Sequence, residues 1–145
     1  MPVYHANEII DNLWLGDLHS ARDAMFFKEH NISYVVNCTV RHASPTFYDN
    51  MEICYSRLPI YDSRDKSNMN YFKCNKDRYI EQIHSFLVVK KPVLIHCVHG
   101  IQRSASLVVF YLMKKFNIDA CVAMKIIKDK RQIAFGLEPT FKDIF

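Results

Sequence analysis

The nine residues His96-Cys97-Val98-His99-Gly100-Ile101-Gln102-Arg103-Ser104 lie between two apolar runs, Pro92 to Ile95 and Leu107 to Met113. The first run is short and reads as a buried strand. The second is too long and continuous to be a loop, so the nine residues carry the chain from a strand end into a helix. A turn of that kind aims successive backbone N–H groups at one point, and the helix dipole adds partial positive charge there. The product is a receptacle for an anion.

The side chains placed around that receptacle determine its chemistry. Cys97 sits at its base, where the same field favours the thiolate form and hence a nucleophile. The backbone from Val98 through His99, Gly100, Ile101 and Gln102 forms the wall that would bind substrate, and Gly100 lets it fold closely around a phosphoryl group. Arg103 supplies a planar fork able to grip two phosphate oxygens, a role lysine does not fill. Ser104 can donate its hydroxyl to the cysteine sulfur and ease its departure from a phosphocysteine, while His96 reads as an orienting residue bonded to nearby backbone. In shuffled chains of this composition the full string arises with a frequency on the order of 10⁻⁵. The rival readings are an inert buried cysteine beside a salt-bridging arginine, and a metal site of His96, Cys97 and His99. The latter lacks a second ligand pair at finger-like spacing. No metal or organic cofactor is expected.

The string His-Cys, five residues, Arg and Ser resembles the signature of the dual-specificity branch of the protein tyrosine phosphatase superfamily, and the likeness extends along nearly the whole chain. Glu8-Ile9-Ile10 followed by Leu13-Trp14-Leu15-Gly16 looks like that family's opening strand and turn, and Ile32 to Thr39 looks like its next core strand. Leu58-Pro59-Ile60 with Asp62 looks like the strand and acid loop, and Tyr111-Leu112-Met113 matches the helix after the signature. The resemblance implies hydrolysis of phosphotyrosine and phosphoserine or phosphothreonine through a phosphocysteine, with phosphorylated proteins as partners. It also implies a general acid, for which Asp62 is the choice and Asp65 the runner-up, on a polar stretch from Asp62 to Asn70 that would serve as a mobile lid. Arg131 matches by position an arginine that some relatives use to hold a second phosphate, which makes it a substrate-binding candidate.

Two alternatives stand beside this reading. His99 resembles the RNA 5′-triphosphatase relatives, under which the partner would be an RNA 5′ end; Gln102-Arg103-Ser104-Ala105 continues in the protein-phosphatase manner instead. A phospho-binding pseudophosphatase would use the same cradle without turnover, and the intact Cys97, Arg103 and Asp62 count against it. Relatives that act on inositol lipids tend to carry lysines in the loop, and this chain has none there.

At 145 residues, half of them apolar, the chain is expected to form a single domain over residues 1–145. It is too short to carry the loop that deepens the pocket of the large tyrosine-specific domains, so a shallower cleft is expected. The net charge of +4 is too small to indicate nucleic-acid binding by itself. Five cysteines with no paired spacing argue against a stapled secreted scaffold, and no stretch is apolar enough to span a bilayer. An intracellular, cytoplasmic or nuclear, location is expected, and the sequence leaves the oligomeric state open. Cys38, ending the strand Tyr34 to Asn37, is a candidate redox partner for Cys97, against the alternative of a buried inert thiol.

Strands are expected at Leu13–Leu15, Ile32–Asn37, Ile53–Pro59 and Val93–His96. Helical spacing appears in Leu18, Ala21 and Met25, in Ile80, Ile83 and Leu87, and in Val122, Ala123, Ile126 and Ile127, with Asn117 and Asp119 as cap residues and a last helix beginning at Glu138-Pro139-Thr140. The order predicts an α/β fold of three layers, a central mixed sheet flanked by helices with the site at the strand ends.

Overall fold

Four short parallel strands set the position of everything that follows. The computed structural model describes residues 4–145. Strands β1 (Ala6–Ile10), β2 (Leu13–Gly16), β3 (Tyr34–Asn37), β4 (Cys54–Arg57) and β5 (Val93–His96) form one sheet in the order β1-β2-β5-β3-β4. β1 is antiparallel to β2, and the other pairs are parallel. The register aligns Gly16, His96, Asn37 and Arg57 in one row at the carboxyl edge. The chain therefore leaves the central strands into Asp17, Cys97, Cys38 and Leu58 side by side, and in an open α/β sheet a crevice outside the carboxyl ends is where ligands bind.

Every residue of β3 and β5 is buried, as expected of central strands covered on both faces. Period-two alternation sends Tyr34, Val36, Val93 and Ile95 to one face and Val35 and Leu94 to the other. The first face packs against helices α4 (Lys66–Leu87), α5 (Arg103–Phe116) and α6 (Ala120–Lys130). The second packs against the short helices α1 (Leu18–Ala21), α2 (Ala24–His30) and α3 (Phe47–Asn50) through Ala21, Phe27 and Tyr48. The result is the three-layer α/β architecture with a mixed central sheet. α5 is buried continuously from Ser104 to Leu112, so the helix whose start forms the site runs through the interior.

The expected caps form: Asn117 adopts the left-handed conformation (φ 53°) after α5, and the Asp119 carboxylate accepts from Val122 N at 2.9 Å. Three local expectations fail. Leu18, Ala21 and Met25 do not share one helix, because the Asp23 carboxylate caps a second helix by accepting from Met25 N and Phe26 N, and Met25 is exposed. The stretch from Asp62 to Asn70 is not a continuous lid, since α4 begins at Lys66. The last described element is a single 3₁₀ turn, Lys142–Ile144, and not an α-helix from Glu138.

Candidate active site

Residues 97–102 leave β5 and curl into the first turn of α5, and the direction of their carbonyls defines the site. Each carbonyl of the loop has an outside partner. Val98 O accepts from Leu18 N at 3.0 Å, His99 O from Arg131 Nη2 at 3.1 Å and Gly100 O from Arg131 Nε at 2.9 Å. Ile101 O accepts from Phe135 N at 2.8 Å, and Gln102 O from Ser106 N and Oγ at 2.9 and 2.6 Å. Because N–H and C=O of one peptide point oppositely, carbonyls drawn outward leave the amides facing the centre. Among the described residues, no protein acceptor takes the N–H of Val98, His99, Ile101, Gln102 or Arg103. Donors gathered without acceptors at a helix start make an oxyanion nest.

Cys97 lies at the floor of this nest and is buried. Its Sγ is 3.0 Å from Ser104 Oγ and accepts from Gly100 N at 3.3 Å, so two donors converge on the sulfur. Gly100 has φ +65°, and a Cβ there would lie 2.5 Å from Gly16 O and 2.8 Å from Arg131 Nη2. Both the conformation and the space require glycine. Arg103 Nη1 donates to Ile60 O at 3.3 Å, tying the start of α5 to the segment that precedes Asp62.

His96 is buried, with Nδ1 3.1 Å from Cys97 O, as an orienting role requires. Burial lowers its imidazole from the usual 6.5 to about 4, against the opposing pull of the Cys97 carbonyl, so the ring is neutral and holds that carbonyl as an N–H donor. On acidification the unfolded chain takes up the proton first, so stability is fully present above pH 6.5 and falls as the pH drops towards 4, by at most about 3 kcal/mol. Urea unfolding at pH 7 and 4.5 should show a loss about 2 kcal/mol smaller in His96→Asn than in the parent. Equal losses would remove this role from His96.

The acid candidates separate clearly. Asp65 is the N-cap of α4, its carboxylate accepting from Ser67 N at 3.1 Å and Asn68 N at 3.3 Å. It has a structural role there, which corrects its standing as runner-up acid. Asp62 is exposed, and its carboxylate has no hydrogen bond or ion pair among the described residues. Its loop is nevertheless fixed. Asn68 Oδ1 accepts from Tyr61 N at 2.9 Å, and Asn68 Nδ2 donates to Tyr61 O and Ser63 O at 2.8 and 2.9 Å. A buried asparagine clamping the acid loop has no signature in the sequence, and the sequence reading missed it.

Arg131 is not placed to hold a second phosphate. It is buried, and besides the two loop carbonyls its Nη1 donates to Tyr4 O and Asn7 Oδ1, both at 2.8 Å. Every donor edge faces protein. The Gln102 side chain is likewise turned away from any ligand: Nε2 donates to Phe135 O and Glu138 O, and Oε1 accepts from Thr140 N. Only the Gln102 backbone remains available to substrate. The His99 side chain is exposed at the mouth. Cys38 is fully buried one register step beyond Asn37, with its N–H bonded to His96 O at 2.8 Å, which places it beside Cys97; burial pushes its thiol well above the ordinary value, and Cys97 adds to the shift. No group of three or more metal-ligating side chains exists among the described residues.

Comparison with known proteins adds to this geometry. A family model described as dual specificity phosphatase, catalytic domain, matches residues 13–143. The chain is 30% identical over 129 residues to dual specificity protein phosphatase 1B of Arabidopsis thaliana, covering 89% of this chain and 73% of that protein. It is 28% identical over 131 residues to human dual specificity protein phosphatase 21, covering 90% of this chain and 65% of that protein. With the human dual specificity protein phosphatase 8 it shares 28% over 141 residues, only 21% of that protein's length. The chain thus spans less than two thirds of these two human relatives. Among solved structures, DUSP15 superposes with a TM-score of 0.82 at 22% identity, covering 96% of this chain and 83% of that one. Human DUSP28 gives 0.82 at 18%, covering 95% and 91%.

Proposed function

This chain belongs to the dual specificity phosphatase family by its catalytic domain, and we propose that it hydrolyses phosphotyrosine and phosphoserine or phosphothreonine in proteins through a phosphocysteine. The observation that carries the reading is the ring of unpartnered loop amides over the Cys97 sulfur. In the first step the Cys97 thiolate attacks phosphorus while the amides of residues 98–103 and the Arg103 fork stabilise the equatorial oxygens. Asp62 donates its proton to the leaving oxygen, so the side chain departs as a neutral alcohol or phenol. In the second step Asp62 takes a proton from water, water attacks phosphorus, and the sulfur leaves as thiolate with the Ser104 hydroxyl donating to it.

The test is leaving-group dependence. Asp62→Asn should slow a phosphoserine peptide about 100-fold or more while changing p-nitrophenyl phosphate far less, because nitrophenolate departs without a proton. An Asp62→Asn enzyme as fast as its parent on phosphoserine would end this assignment. Comparing phosphate release from a phosphopeptide and from triphosphorylated RNA separates the RNA 5′-end reading, for which the exposed His99 is the only local support.

Peroxide would convert the Cys97 thiolate to a sulfenic acid; attack by the Cys38 sulfur would expel water and leave a disulfide that protects the nucleophile. An intracellular, reducing location agrees with the free, exposed thiols of Cys54, Cys74 and Cys121.

A further inference from the structure

The segment Phe135 to Thr140 touches both halves of the catalytic apparatus. On one side it is bonded to the phosphate loop. Phe135 N donates to Ile101 O at 2.8 Å, Gln102 Nε2 to Phe135 O at 2.9 Å and Glu138 O at 3.1 Å, and Thr140 N to Gln102 Oε1 at 2.8 Å. On the other side the Glu138 carboxylate pairs with the Arg64 guanidinium, two residues from Asp62. The second Glu138 oxygen meets Lys142 Nζ at 3.2 Å.

The path of the segment is held against its own preference. Phe135 is buried and has φ +68°, a conformation bulky residues avoid unless the surroundings impose it. It is held there by its bonds to Ile101 and Gln102 and by burial of its ring in the core. Glu138 is therefore delivered to Arg64 from an anchor on the phosphate loop itself. The Asp62 carboxylate has no partner among the described residues to aim it, so its direction is inherited from the backbone around it. That backbone is held by Arg103 on Ile60 O before Asp62, by Asn68 on Tyr61 and Ser63, and by the Arg64 to Glu138 pair after it.

We propose that Phe135–Thr140 is a strap that sets the acid loop in register with the phosphate loop, with Glu138 and Arg64 as positioning residues for Asp62. The proposal rests on the reading of Asp62 as general acid. An ion pair this exposed contributes little to stability, so its role would be geometric: proton transfer to a departing oxygen is sensitive to small displacements of the donor.

The experiment uses the full chain and two substrates. Glu138→Gln should lower kcat on a phosphoserine peptide about fivefold with KM and melting temperature unchanged, and leave p-nitrophenyl phosphate within about twofold. Lys142→Gln, which removes the other partner of Glu138, should change neither substrate. Exchanging the charges, Arg64→Glu with Glu138→Arg, should restore the phosphoserine rate that either change alone lowers. The proposal is overturned if Glu138→Gln matches the parent on phosphoserine, slows both substrates equally, or if the exchanged pair stays as slow as the single variants. Asp62→Asn, measured alongside, separates the two readings. If it slows phosphoserine while Glu138→Gln does not, the strap role fails and the acid assignment stands. If Asp62→Asn changes nothing, both fall.

Discussion

Cys97→Ser turns over neither phosphopeptide nor p-nitrophenyl phosphate, with a loss on the order of 10⁴-fold or more, yet still binds phosphorylated peptide. The reason lies in what the substitution removes and what it leaves. A serine hydroxyl stays protonated at neutral pH and cannot attack phosphorus, and no other group in the nest can replace it. The free amides of Val98, His99, Ile101, Gln102 and Arg103 remain in place, because the loop is held by carbonyl contacts with Leu18, Arg131 and Phe135; only the Gly100 amide bonds to the sulfur. Hydrolysis followed with and without vanadate, and peptide binding followed by calorimetry, together check the prediction. Residual turnover within tenfold of the parent would dismiss the covalent mechanism. A parent protein that binds but shows no vanadate-sensitive hydrolysis would instead be a pseudophosphatase.

Arg131→Ala unfolds at a temperature lower by roughly 10–20 °C, corresponding to about 3–5 kcal/mol. The guanidinium is buried, and it is the hydrogen-bond partner of four acceptors: the carbonyls of Tyr4, His99 and Gly100 and the Asn7 side chain. Its removal opens a cavity beneath the loop and strands the buried Gly100 carbonyl, at about 1–3 kcal/mol, whereas the part-buried acceptors of Tyr4, Asn7 and His99 regain some water. Activity should fall on every substrate alike, because the His99 and Gly100 peptides lose what turns their amides inward. Calorimetric melting and kcat/KM on singly and doubly phosphorylated peptides decide the matter. An unchanged melting point with a loss confined to the doubly phosphorylated peptide would return Arg131 to the substrate.

That residue also shows where the sequence is informative and where it is not. The strand, turn and helix around Cys97 are legible because apolar runs and a rare nine-residue string both report local structure. The central strands β3 and β5 are legible because burial on both faces makes them continuously apolar. The positions of Arg131, Gln102 and Asp65 are equally visible, but the direction each side chain takes is set by the partners the fold brings to it. Arg131 meets Tyr4 and Asn7, Gln102 meets Phe135 and Thr140, and Asp65 turns back to cap α4. Charged and polar residues are placed by the partners the fold brings to them, and a pattern of residue types does not contain those partners. Asn68 illustrates the same limit from the other side: it lies within a polar run that reads as loop, yet it is a buried clamp on α4.

Arg131, whose guanidinium turns the loop inward, is itself held by Tyr4 across 127 positions of sequence. Such long-range closures are late and slow to form, since the intervening polypeptide must be ordered first. A ribosome that has released β5 and α5 has made the nucleophile but not the means of using it. Competence would therefore arrive only once the segment carrying Arg131 and Phe135 has been made, and a domain cut short before that segment would be harmless to phosphorylated neighbours.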